Sequence, residues 1–198
     1  MAMPTAFDPL VDLDGLWNTQ LAERFLPLPE LPHAKYECVD GRLFVSPTES
    51  GTNSYGEHGL SHLIRDTARA AGLFVYGSVN LKFNPDRWIQ PDVTILHELP
   101  ETDEEDIWIP ARLCTMVVEF VSPRSQKQDR INKPEICARG GIPYFMRVEI
   151  VRRLRHAKIE LSVLEHGQYE LIAEAISGQM LNAREPFPMS FDPRQLLP

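Results

Sequence analysis

No stretch of this chain approaches the roughly 20 consecutive apolar residues of a membrane span, and its opening, MAMPTAFDPL, lacks the basic-then-apolar order of a secretory signal. A soluble, cytoplasmic protein is expected. Basic charge is also scarce, with 20 Lys and Arg against 28 Asp and Glu and a formal net charge of -8. A chain so balanced carries no overall electrostatic footprint for nucleic acid, so any hold on a phosphate backbone must come from a local basic patch. Cysteine is limited to Cys38, Cys114 and Cys137. An odd count without C-x-x-C spacing argues against a disulfide framework or a structural zinc site, and reduced core thiols are expected. Internal repeats and low-complexity tracts are absent as well.

What is present suits one domain, since 198 residues with 43% hydrophobic content can bury a sizeable core. Residues 1–34 contain most of the proline-rich run LPLPELPHAK and read as an N-terminal arm that wraps the surface, with a short helix around Trp17 to Phe25. Residues 35–198 read as a single domain. YECVDGRLFV places Asp40-Gly41 between two strand-like runs, and Asp-Gly suits the positive φ angles of a type I′ turn, so a hairpin is predicted. Leu60, Leu63, Ile64, Thr67, Ala68 and Ala71 recur at helical spacing, and Gly72 stands where a C-terminal cap belongs. Strands are predicted in LFVYGSV, NLKF, QPDVTIL and CTMVVEFVS, with PETDEEDIW as a solvated acidic loop. A helix over 128–139 with Pro134 in its first turn follows, then strands in GIPYFMRVEI, a hairpin around Gly167 and a closing strand in EPFPMSF. The fold class is α/β or α+β, a mixed sheet flanked by helices.

Glu119 interrupts the apolar run VVEFV. Alternation sets Met116, Val118 and Phe120 on one face and Val117, Glu119 and Val121 on the other, so the carboxylate shares a layer with valines. It is either a sheet-edge residue, the partner of an arginine, or a ligand. Asp92 opens another apolar strand 119 - 92 = 27 residues earlier, a gap that suits adjacent strands joined by a loop. Two carboxylates on neighbouring strands repel unless a proton or cation lies between them. Magnesium suits such a site, being held by one or two carboxylates with water and substrate phosphate around it, and manganese takes similar ligands. Lys127 and Lys133 are the downstream cations available to phosphoryl chemistry, and Lys133 shares a helix face with Asp129, four residues earlier. A solvated Asp-Lys helix pair is the plainer account, worth a few tenths of a kcal/mol.

YECVDGRLFVSP, His58, QPDVTI, VVEFVSPRSQKQDRINKPEICARGGIPYFMRVE, the HGQYELI hairpin and PFPMSFDPRQL together resemble the Uma-type family of "putative restriction endonucleases" of the PD-(D/E)XK superfamily. That resemblance implies a restriction-endonuclease-like mixed sheet with added β-hairpins. It further implies a metal-dependent endonuclease hydrolysing DNA, with Mg²⁺ or Mn²⁺ held by Asp92 and Glu119. Val121 stands where the superfamily signature has lysine. The family's D…K…Y pattern implies that Lys133 takes that role with Asp129 beside it, although Cys137 replaces the tyrosine. Glu37 and His58 match positions the family favours and enter as supporting residues. A homodimer would suit an enzyme that cuts both strands.

Two other functions stay open. A nuclease fold that binds or regulates with little or no turnover fits the net charge, Val121 and Cys137. A zinc hydrolase would use His58 and His62, four apart as in H-E-x-x-H helices, yet Gly59 stands where that motif has Glu. Both histidines project opposite the Leu60 and Leu63 face, beside Arg65 and Arg69, as on a solvated basic face that also suits a phosphate backbone.

Overall fold

A computed structural model describes residues 7–46, 49–121 and 132–198. Two short helices, α1 (Pro9–Asp12) and α2 (Thr19–Phe25), precede the hairpin β1 (Lys35–Val39) and β2 (Arg42–Ser46). The long helix α3 (Gly51–Ala70) leads into β3 (Phe74–Tyr76), β4 (Asn80–Asn84), β5 (Arg87–Ile89) and β6 (Val93–Leu96). Helix α4 (Asp103–Ile107) and β7 (Trp108–Pro110) come next, then β8 (Cys114–Val121), α5 (Lys133–Arg139) and β9 (Tyr144–Val151). The chain closes with β10 (His156–Glu165), β11 (Gln168–Ile176), β12 (Leu181–Ala183) and β13 (Met189–Phe191). This is the mixed α+β class expected, with helices flanking mixed sheets.

Among the described residues one sheet runs β2-β1-β5-β4-β7 and another β11-β10-β9-β8-β6-β3, while β12 and β13 pair separately. The predicted hairpin forms as expected: Asp40 and Gly41 carry φ of 53° and 75°. A Cβ on Gly41 would also lie 2.5 Å from the Gly15 carbonyl oxygen, so this position needs glycine for space as well as conformation. Helix α3 begins with Ser50 accepting the Asn53 N–H at 3.2 Å. It ends before Gly72, whose φ is 76°.

Leu60, Ile64 and Ala68 of α3 pack with Val93, Ile95, Met116, Val118 and Phe120 on one face of the six-stranded sheet. Val117 and Phe145 on its other face join Leu81, Ile89, Ile109 and, from α5, Ile136 and Cys137. Each fully buried Val, Leu, Ile, Phe or Met side chain among them contributes about 1.5–3 kcal/mol. Cys38, Cys114 and Cys137 are free and buried, as expected.

Three expectations need correction. The segment 100–108 is not all loop: Thr102 accepts the Glu105 N–H at 3.2 Å and caps α4, whose acidic first turn complements the helix dipole. Strands β5, β7 and β12 add to the predicted set, each too short to show a period. The N-terminal segment does more than wrap the surface, since Trp17 and Ala22 are buried with Cys38, Trp88 and Trp108. Trp88 and Trp108 meet edge to face with centroids 5.1 Å apart. No helix among the described residues is long and apolar enough to cross a membrane.

Candidate active site

Strand β8 lies between β6 and β9, so Glu119 is no edge residue. It is 1% exposed, and its Oε2 accepts from Lys133 Nζ at 2.9 Å. The same ammonium stands 3.1 Å from Glu37 Oε1. Glu37 Oε1 also accepts the Gln90 N–H at 2.8 Å, while the Gln90 side chain accepts from Tyr36 N at 2.8 Å. All three charged groups are buried, so each offsets the desolvation of the others. Pro134 sits beside the lysine in the first turn of α5, where a missing N–H costs no α-helical bond, and Asn132 before it already has helical dihedrals.

Asp92 reaches the same place from β6. Val93 lies opposite Val118 in the antiparallel register, and Asp92 N donates to Val118 O at 3.2 Å. Asp92 Oδ2 accepts the Phe120 N–H at 2.6 Å, and Oδ1 forms an ion pair with Lys35 Nζ. Lys35 and Glu37 share one face of β1, so a single strand delivers a cation and a carboxylate. Burial opposes the charge on Lys35, but Asp92 above all, then Glu119 and Glu49, outweighs it and holds the ammonium pKa above its usual value.

Helix α3 supplies the third approach. Asn53 Nδ2 donates to Phe120 O at 3.2 Å, so Phe120 ties the helix through its carbonyl and Asp92 through its N–H. Gly56 permits the close packing, since a Cβ there would lie 2.8 Å from side-chain atoms of Ile150 and Phe120. One turn beyond Asn53, Glu57 joins Glu49 and Asp92 with carboxylate oxygens within 4.8 Å of one another. Burial, then the hydrogen bond with Glu49 and the charges of Asp92 and Glu49, push the Glu57 carboxyl up to about 10, against a partial offset from Lys35. Such crowding of hard oxygen donors fits a divalent cation, which would replace the proton between them.

The sign of that shift gives a testable pH dependence. In the fold Glu57 keeps its proton to about 10, whereas an ordinary Glu loses it near 4.5. Its contribution to stability therefore falls as pH rises through that window, because the unfolded chain holds fewer protons. Glu57→Gln in chelator-treated protein is expected to melt above wild type at about pH 9, with the difference shrinking towards about pH 5. Scanning fluorimetry at both values checks it, and a constant difference would count against the assignment.

Asp92, Glu119, Lys133 and Glu37 thus converge, whereas His58 and His62 are exposed on α3. His58 Nδ1 lies 2.8 Å from Ser54 O, within its own helix. Asp129 and Lys127 lie outside the described residues. Lys35, Glu49 and Glu57 escaped the sequence reasoning, yet two carried a signal. Lys35 shares the Glu37 face by alternation, and Glu57 lies three residues before Leu60 on the apolar stripe of α3. Cys137 fills apolar space beside Val117, Ile142 and Phe145, and burial raises its thiol pKa well above the ordinary value.

Comparison with known proteins fits this geometry. A crystal structure from Anabaena variabilis, described as "a putative nuclease belonging to DUF820", is similar to 88% of this chain over 95% of its own length, with TM-score 0.61 and 14% sequence identity. At that identity the likeness speaks to the fold alone. No curated protein matches. A family model matches residues 22–196, and the chain belongs to that family, Uma2, described as "Putative restriction endonuclease".

Proposed function

We propose that this protein is a divalent-metal-dependent endonuclease that hydrolyses phosphodiester bonds in DNA. The observation that carries the reading is the convergence of Asp92, Glu119 and Lys133 from three elements, with Lys133 Nζ 2.9 Å from Glu119 Oε2 and Asp92 Oδ2 held by the N–H of the residue after Glu119. Asp92 and Glu119, with Glu49 and Glu57 beside Asp92, would hold Mg²⁺ or Mn²⁺. When bound, such an ion supplies positive charge to phosphoryl oxygens and helps activate water. Lys133 orients Glu119 and presents an ammonium to charge developing on the phosphate. Glu37 keeps Lys133 in place. Asp129 and His58 rest on the family resemblance as supporting residues, as does assembly into a homodimer for cutting both strands.

A second reading has its own observation. Lys35 pairs with Asp92 while Lys133 pairs with Glu119 and Glu37, so two internal cations already offset these carboxylates without a metal, which fits a binding or regulatory module without turnover. One experiment separates the two. Plasmid, linear duplex, single-stranded DNA and RNA are incubated with the protein in Mg²⁺, Mn²⁺ or EDTA. The nuclease reading expects DNA cleavage that needs the metal and is lost in Glu119→Gln. Folded protein that binds DNA but cuts nothing with either metal would favour the module.

A further inference from the structure

The chain's acidity leaves open which surface would meet a polyanion. Five of the fifteen arginines, Arg87, Arg112, Arg139, Arg147 and Arg194, each pair with an acidic side chain, while Arg24, Arg42, Arg65, Arg69 and Arg184 are exposed but no three of them fall within one short segment of sequence. The turn joining β9 to β10 differs. Its sequence VRRLR sets Arg152, Arg153 and Arg155 within four residues, all exposed, and among the described residues none forms an ion pair. Leu154 between them is 74% exposed, and Val151 before them 41%. Arg155 adopts a left-handed conformation with φ 48° and ψ 42°, which glycine or asparagine takes at lower cost. The turn thus keeps cationic and apolar side chains where a stable, soluble hairpin needs neither.

Topology fixes its place relative to the site. Strands β8 and β9 run parallel with Glu119 opposite Arg147, and β9 continues from there to the turn. The turn therefore lies beyond the same end of the sheet that carries Glu119. Five residues of extended chain separate Arg147 from Arg152, roughly 16 Å at about 3.3 Å per residue. That span equals about five base-pair steps of B-form DNA, so one duplex can meet both places.

We propose that the Arg152–Arg155 turn is a nucleic-acid-docking surface, in which the three arginines contact phosphates of a duplex flanking the cleaved bond and Leu154 lies against sugar or base edges in the groove. The proposal rests on the nuclease reading above and adds the surface that reading lacks. Charge complementarity selects the partner: three unpaired guanidiniums on an otherwise acidic chain meet a polyanion of regular charge spacing, and an apolar tip among them suits a groove.

The test uses the full chain in EDTA, so that binding is read without cutting. A fluorescein-labelled duplex is titrated by anisotropy across a salt series with wild type, the triple variant Arg152→Gln, Arg153→Gln, Arg155→Asn, and Leu154→Ser. Asn tolerates the left-handed position, and thermal melting verifies that each variant folds. The triple variant is expected to lose about tenfold or more in affinity at low salt, and its salt slope should fall by about 2–3, close to one unit per phosphate contact. Leu154→Ser should lose affinity with the slope unchanged. Wild type that binds DNA while the triple variant matches its affinity and slope would overturn this surface and leave the nuclease reading standing. Wild type that binds no duplex at any salt would overturn this surface, while the nuclease reading is decided separately by the metal-dependent cleavage assay. Vesicles of phosphatidylserine in phosphatidylcholine form a third arm: capture that needs the three arginines, with DNA binding unaffected by them, would assign the turn to a membrane and overturn the proposal.

Discussion

Lys133→Met is expected to reduce DNA cleavage by on the order of a hundredfold or more while Mn²⁺ still binds, because the change removes an ammonium and no oxygen ligand. The burial of Lys133 adds a second effect. Its ammonium serves two buried carboxylates, Glu119 and Glu37, at 2.9 and 3.1 Å. Removing one partner of a buried ion pair typically costs about 3–5 kcal/mol, so chelator-treated Lys133→Met should melt well below wild type. The added change Glu37→Gln takes one carboxylate away and should return part of that stability without returning cleavage. This separation matters, since a structural role alone would recover with stability. Lys35→Met and Lys127→Met belong in the same series. If Lys127 carried the role, the losses would exchange between it and Lys133. Cleavage at the wild-type rate by Lys133→Met and Lys127→Met would end the migrated-lysine mechanism.

Asp92→Asn should weaken Mn²⁺ binding by on the order of a hundredfold or more, since the substitution keeps the shape of the ligand but removes its charge. The carboxamide oxygen can still accept the Phe120 N–H, so the approach of β6 to β8 is preserved. Lys35, by contrast, loses its anion and remains as a cation beside the ligands, which makes the loss larger than for a lone carboxylate. Calorimetric titration of wild type, Asp92→Asn and Glu119→Gln checks this directly. Equal Mn²⁺ binding by all three would remove the metal assignment, whatever the DNA assays give.

Much of this was legible in local pattern. The Asp40-Gly41 turn followed from the positive φ angles that pair tolerates, α3 followed from the helical recurrence of Leu60, Ile64 and Ala68, and strand alternation alone was enough to put Glu119 of β8 in an apolar layer. Each depends on neighbours within a few residues, where the helical and strand periods hold. Short elements escaped for the same reason: three residues in β5 cannot display a period, and α4 is set by its Thr102 cap in an acidic segment that lacks an apolar stripe.

By itself, then, the sequence determined which residues are chemically conspicuous and which face of its element each occupies, because both depend on residue type and local period. Which of them meet was decided by the tertiary structure. Lys35 and Asp92 pair across 57 residues, Asn53 and Phe120 bond across 67, and Lys133 bridges Glu37 to Glu119 from a different helix. Period and propensity hold no term for such contacts; they arise when packed sheets and α3 bring distant faces together. The same packing turned Glu57 inward and left His58, its neighbour in sequence, in water, since one residue along a helix is a rotation of about 100°.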